Sequence, residues 1–154
     1  MTTPHLFTVH IPVRWGDMDA YGHINNVAIV RLMEEARVAV FGAPPSSGNL
    51  TANSPAPLLS FFSHFEDGVQ ALIADHQIKY QQQLAYRALP IKVEVSLAKV
   101  GAASMTVNYR LIDPETQQTC VRASTTLAFY SVKTGNIVRI APELRQQLKA
   151  LSGQ

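Results

Sequence analysis

The chain has 154 residues, 47% of them hydrophobic and 16% charged, which is enough apolar surface for one packed core and too much for a disordered chain. Its 13 basic and 11 acidic residues leave a formal charge of +2 with no basic run, so composition gives no support to nucleic-acid binding, although scattered cations would suit a small polyanionic ligand. Cys120 is the only cysteine, which excludes an intrachain disulfide and a CxxC pair for zinc or redox work and points to a reducing compartment.

From Leu6 to Arg14 the residues FTVHIPVR alternate loosely and are β-branched in part, which predicts a first strand, with Pro12 placing it at an edge or a bulge. The N-terminal stretch MTTPHLFTVHIPVRW carries no basic segment ahead of a long apolar run, and no segment reaches the roughly 18 apolar residues of a membrane span. A soluble cytoplasmic protein without membrane partners is therefore expected.

The next segment, WGDMDAYGHIN, has the Gly, Asp and Asn content of a loop, and Asn25 or Asn26 is positioned to cap the helix after it. That helix is predicted over Val27 to Phe41, with only Arg31, Glu34, Glu35 and Arg37 charged. Arg31 and Glu35, spaced i,i+4, are expected to pair, and the otherwise apolar circumference requires enclosure on nearly all sides. Gly42, Pro44 and Pro45 end it.

Residues 43–67 hold four of the nine prolines and read as a long excursion, with one short apolar piece at Leu58 to Phe62. Four strand-like runs follow: VQALIADHQIKYQ, IKVEVSLAKV, SMTVNYRLID and TCVRASTTLAFYSV, the last three forming an antiparallel meander. A short amphipathic helix from Pro142 to Leu151 closes the series near Gly153. Strand, long apolar helix, then successive strands predict an α+β chain. A strongly curved antiparallel sheet wrapped around a long central helix, the hotdog fold, gives that helix its apolar surroundings. The whole chain, 1–154, is expected to be one such domain.

Nucleophile and cofactor motifs are few. There is no GxSxG elbow, Ser60, Ser63 and Ser104 lack a partner framework, and GAAS joins strands rather than opening a helix as a phosphate loop would. His5, His10, His64 and His76 show no metal-ligand spacing, so neither metal nor cofactor is expected.

The stretch RWGDMDAYGHINN, followed by a helix containing RLMEEAR, resembles the acyl-CoA thioesterases of the 4-hydroxybenzoyl-CoA thioesterase family, YbgC- and FadM-like members included. The likeness extends through HQIKYQQQLAYRALPIKVEVSLAKVGAASMTVNYRL to TLAFYSVKTGNIVRI, which looks like the family's last strand, and so covers about residues 8–145 apart from the excursion. It implies that Asp19 is the catalytic carboxylate, acting as nucleophile or general base on a thioester. The N-terminus of the helix would supply free N–H groups to the developing oxyanion, where its positive end favours negative charge. Losing one such donor costs about 2.7–4 kcal/mol in comparable acyl-transfer enzymes.

His23 and Asn26 are the further catalytic candidates, Asn26 standing where some relatives carry a histidine; loop hydrogen bonding and helix capping are their alternative roles. Asp17 and Asn25 are candidate substrate-binding residues, with holding Arg14 or loop amides the alternative for Asp17. Arg87, Lys99 and Ser104 lie near strand turns, where family members hold the CoA nucleotide. Glu34 and Glu35 are assigned to salt bridges or dimer contacts. The resemblance implies hydrolysis of a fatty or aromatic acyl-CoA and self-association as a dimer or tetramer. The alternatives are an acyl-ACP thioesterase and a non-catalytic acyl-CoA-binding domain.

Overall fold

The computed structural model describes residues 2–45 and 47–154. Its elements are β1 (Phe7–Ile11), α1 (Asn26–Phe41), β2 (Val69–Tyr80), β3 (Ile91–Val100), β4 (Ser104–Ile112), β5 (Thr119–Ser131), β6 (Asn136–Ile137) and α2 (Pro142–Ser152), with single 3-10 turns at Trp15–Asp17 and Phe62–His64. The sheet is antiparallel throughout, in the order β1-β3-β4-β5-β2, with β6 paired to β5. The meander is thus β3, β4 and β5. β2 crosses over to the far edge, where its first partner is Ser131 against Val69. β1 stops at Ile11, directly before Pro12, and forms the other edge. Where the resemblance implies one last strand, TLAFYSVKTGNIVRI, the chain turns at Gly135 (φ +73°) into the short β6, because the Lys-Thr-Gly tract supplies a left-handed turn residue.

Alternation sets the two faces of the sheet. Val93, Val95 and Leu97 of β3, Met105, Val107, Tyr109 and Leu111 of β4, and Val121, Leu127 and Phe129 of β5 are buried on the inner face. Register shifts at Ile73/Asp75 in β2 and at Leu97/Lys99 in β3 mark bulges, which curl the sheet toward that face. α1 lies in the concavity and presents Ile29, Leu32, Met33, Ala36 and Val40, a helical stripe with every member at 1% exposure or less. The chain forms a hotdog-type architecture.

Enclosure of the helix is one-sided. Glu34 and Glu35 are exposed, and so are Val27 (74%) and Val38 (42%), which share the outward face. The sheet curls around the apolar stripe only, and the two glutamates keep the opposite face hydrated.

The excursion returns to the C-terminal end of α1. Leu58 and Leu59 donate their amides to the carbonyls of Ala39 and Val40, last-turn acceptors that have no partner within the helix. Phe61, fully buried, packs against Phe41, Phe62, Phe65 and Phe129 at ring distances of 4.8–6.0 Å. α2 begins with Pro142, ends at the left-handed Gly153 and packs Leu144 and Leu148 into the same core. Among the described residues no helix is long and apolar enough to cross a membrane.

Candidate active site

The loop between β1 and α1 is held by its own aspartates. Asp17 is 2% exposed, and its carboxylate accepts from the Arg14 amide (2.7 Å), the Arg14 guanidinium (3.1 Å) and the Arg31 guanidinium (2.6 Å). Its carbonyl accepts from the Asn25 amide, which fixes the start of α1. Burial pushes the Asp17 carboxyl up, but the Arg14 hydrogen bonds together with the Arg31 and Arg14 charges outweigh it and hold it below the ordinary value. Arg31 therefore does not pair with Glu35. A buried carboxylate across the loop attracts the guanidinium more strongly than an exposed one on the same helix, because little water screens it.

Asp19 is arranged differently. Its Oδ1 accepts from the amides of Tyr21 (2.7 Å) and His23 (3.1 Å), while its own amide donates to the His23 carbonyl. Gly22, at φ +81°, makes that tight return possible. Oδ2 has no partner among the described residues. The loop thus uses one carboxylate oxygen as its anchor and leaves the other available.

A second segment forms the opposite wall. Ile24 donates to the Leu84 carbonyl, Tyr86 to the Gly22 carbonyl, and His23 bridges to Ala85, while Gln81 and Gln82 donate to Cys120. The result is a cavity of about 330 Å³ whose lining includes Asp19, His23, Asn26, Ile29, Tyr80 and Gln82. At its helix end, Asn25 is the cap, its side chain accepting from the Val27 amide. That leaves the amides of Asn26 and Ala28 without a partner among the described residues.

Asp19, His23 and Asn26 therefore meet in one cavity. Asp17 and Asn25 lie behind it, both occupied within the protein. The other three sequence candidates are elsewhere. Arg87 grips Asp113 through Nε and Nη2 (2.9–3.1 Å), and Lys99 and Ser104 stand at the β3–β4 hairpin, outside the cavity lining. Tyr80 and Gln81 to Gln83 line the site without having been singled out from the sequence; the only signal was a YQQQ tract at the end of a strand run. Among the described residues no three His, Cys, Asp or Glu side chains group as a metal site.

The Arg87–Asp113 pair carries a pH prediction. Burial raises the Asp113 carboxyl, but Arg87 and the amides of Glu115 and Thr116 bring it below its ordinary 3.8. Its stabilisation is then fully present above 3.8 and is lost as pH falls through the lower folded value. Urea midpoints measured against pH are expected to show Asp113→Asn less stable than wild type at neutral pH, the two curves converging in acid.

A curled antiparallel sheet around a helix, with a loop carrying Asp17 and Asp19 at the helix's N-terminal end, is an arrangement of the hotdog class. The Thioesterase-like superfamily pattern matches residues 13–148, and the chain belongs to that superfamily, which makes it a thioester hydrolase. No curated protein matches the sequence. Among solved structures, the PA2801 protein of Pseudomonas aeruginosa is similar at 26% identity and a TM-score of 0.67, over 92% of this chain and 96% of that one. A thioesterase from Thermus thermophilus, complexed with coenzyme A and zinc, shares the fold at 18% identity and a TM-score of 0.68, over 100% and 98%. The DHNA-CoA thioesterase of Staphylococcus aureus does so at 16% and 0.69, over 99% and 95%.

Proposed function

We propose that the protein is an acyl-CoA thioesterase of the 4-hydroxybenzoyl-CoA type, YbgC- or FadM-like, acting in the cytoplasm on fatty or aromatic acyl-CoA with Asp19 as its catalytic carboxylate. The observation that carries this reading is that Asp19, whose Oδ2 has no partner among the described residues, lines a cavity at the helix end where the Asn26 and Ala28 amides likewise have none among them. Water bonds to the thioester carbonyl carbon as Oδ2 takes its proton. The oxyanion is received by the two amides. Collapse breaks the C–S bond, and the CoA thiolate takes the proton back from the Asp19 carboxylic acid. Direct attack by Oδ2, through an acyl-aspartyl anhydride that water then cleaves, uses the same donors. The His23 ring and the Asn26 carboxamide orient the ester and the water. The coenzyme A held by the Thermus neighbour and the CoA-ester substrate in the name of the Staphylococcus enzyme support CoA as the carrier.

Self-association completes the site in this reading. β2 is a 12-residue edge strand exposing Leu72, Ile73 and Tyr80, and Tyr80 and the residues after it form the cavity's outer wall. A second copy pairing along β2 would extend the sheet and close that wall. Thiol release from short, medium, long and aromatic acyl-CoAs, beside the matching acyl carrier protein esters, tests the function. Release from at least one CoA ester, exceeding that from its carrier-protein counterpart, is the expected outcome. Binding of CoA esters without release would replace the catalytic reading with a sensing one.

A further inference from the structure

The outer face of the sheet, whose groove shares no lining residue with the Asp19 cavity, carries a second arrangement that the proposed hydrolysis does not use. Cross-strand registry places Lys79 of β2 opposite Arg122 of β5, Arg122 opposite Arg110 of β4, and Arg110 opposite Glu94 of β3. Alternation turns all four away from the core, since their neighbours Ile78, Val121, Tyr109 and Val93 face inward. Arg110 is ion-paired with Glu94. Neither Arg122 nor Lys79 makes an ion pair or a side-chain hydrogen bond among the described residues. Three cations thus stand in one line across adjacent strands against a single carboxylate. Directly opposed like charges on a sheet destabilise it, so this row is costly unless an anion lies on it.

The next row is uncharged and hydrogen-bonding throughout: Gln77 opposite Ser124, Ser124 opposite Asn108, and Asn108 opposite Ser96. Both rows line one groove of about 680 Å³. Two strand spacings put Arg110 and Lys79 about 10 Å apart at their backbones, with Arg122 between them, room for two linked phosphoryl groups. Guanidinium forks match phosphate oxygens in pairs, and the amide and hydroxyl row offers partners to whatever polar group the phosphates carry.

We propose that this groove binds a small diphosphate-bearing ligand, with Arg122 as the central contact, Arg110 and Lys79 flanking it, and the Gln77–Ser124–Asn108–Ser96 row holding the organic part. The site is independent of the proposed acyl-CoA chemistry, as its residues share none with the Asp19 cavity.

Calorimetric titration of the full chain with inorganic pyrophosphate and with inorganic phosphate tests it, using wild type, Arg122→Gln, Lys79→Gln and Asp19→Asn. Expected are one pyrophosphate per chain, bound at least tenfold more tightly than phosphate, a tenfold or greater loss in Arg122→Gln, a smaller loss in Lys79→Gln and none in Asp19→Asn. Without ligand, the melting temperature of Arg122→Gln should equal or exceed that of wild type, because a like-charge contact is removed; pyrophosphate should raise the values of wild type and Asp19→Asn alike, and that of Arg122→Gln by less. Absence of pyrophosphate binding, equal binding by Arg122→Gln, or loss of binding in Asp19→Asn overturns the proposal. Co-sedimentation with phosphatidylglycerol vesicles without binding of free pyrophosphate would assign the groove to a lipid surface and overturn it as well.

Discussion

Asp19→Asn is expected to lower kcat for acyl-CoA hydrolysis by about 10²–10⁴-fold, the range for losing a positioned general base, while leaving the fold intact. The two effects separate because the carboxylate's oxygens do different work. Oδ1 closes the loop through the amides of Tyr21 and His23, and an asparagine carbonyl accepts the same two bonds. Oδ2 has no partner among the described residues, so its replacement by NH₂ removes proton acceptance and nucleophilicity and little else. Asp19→Ala, by contrast, is expected to lose both the activity and the loop's anchor, with stability falling by about 1–3 kcal/mol as two amides lose their acceptor. Thiol-release kinetics beside thermal melts of the two variants read this directly. Asp19→Asn retaining activity within tenfold of wild type would remove Asp19 from the chemistry.

Much of the architecture was legible because it rests on periodicity. The stripe Ile29, Leu32, Met33, Ala36, Val40 has helical spacing, and the alternation in β3, β4 and β5 has strand spacing, so both survive without knowledge of tertiary contacts. What a local pattern does not carry is competition between distant partners. Arg31 has a suitable carboxylate one turn away at Glu35, yet it reaches back 14 residues to Asp17, because Asp17 is buried and Glu35 is not. The exposed face of α1 was hidden for a similar reason: Val27 and Val38 read as core residues by type, and only the extent of the sheet decides that they are not.

The site was legible in its loop and illegible in its wall. Asp19, His23 and Asn26 are close in sequence, and a capping pattern places them at a helix end. Tyr80 and the glutamines after it are some 60 residues away, brought in by the bonds from Ile24 to Leu84 and from Tyr86 to Gly22. Arg87 shows the opposite case. A basic residue near a strand turn suits a nucleotide phosphate, but Asp113 occupies its guanidinium from within the chain. Charge in sequence is available to a ligand where folding leaves donors free, as at Lys79 and Arg122 and, with only Nη2 given to Glu94, at Arg110.

Asp17→Asn is expected to be the most damaging polar substitution in the loop, lowering stability by roughly 3 kcal/mol, the low end for breaking a buried ion pair. The low end applies because the partners are partly solvated, Arg31 being 29% and Arg14 71% exposed. The change leaves the Arg31 guanidinium facing a neutral amide, while its Nε is already buried without a partner among the described residues. Since Asp17 joins the loop to α1, its loss should also lower kcat, through misplacement of Asp19 relative to the Asn26 and Ala28 amides. A double-mutant cycle with Arg31→Met separates charge pairing from packing: methionine keeps the apolar stem and removes the orphaned cation. Urea unfolding of the double variant is therefore expected to show a smaller loss than the two single losses added together. Strict additivity would mean that the Asp17–Arg31 contact is not what holds the loop to the helix.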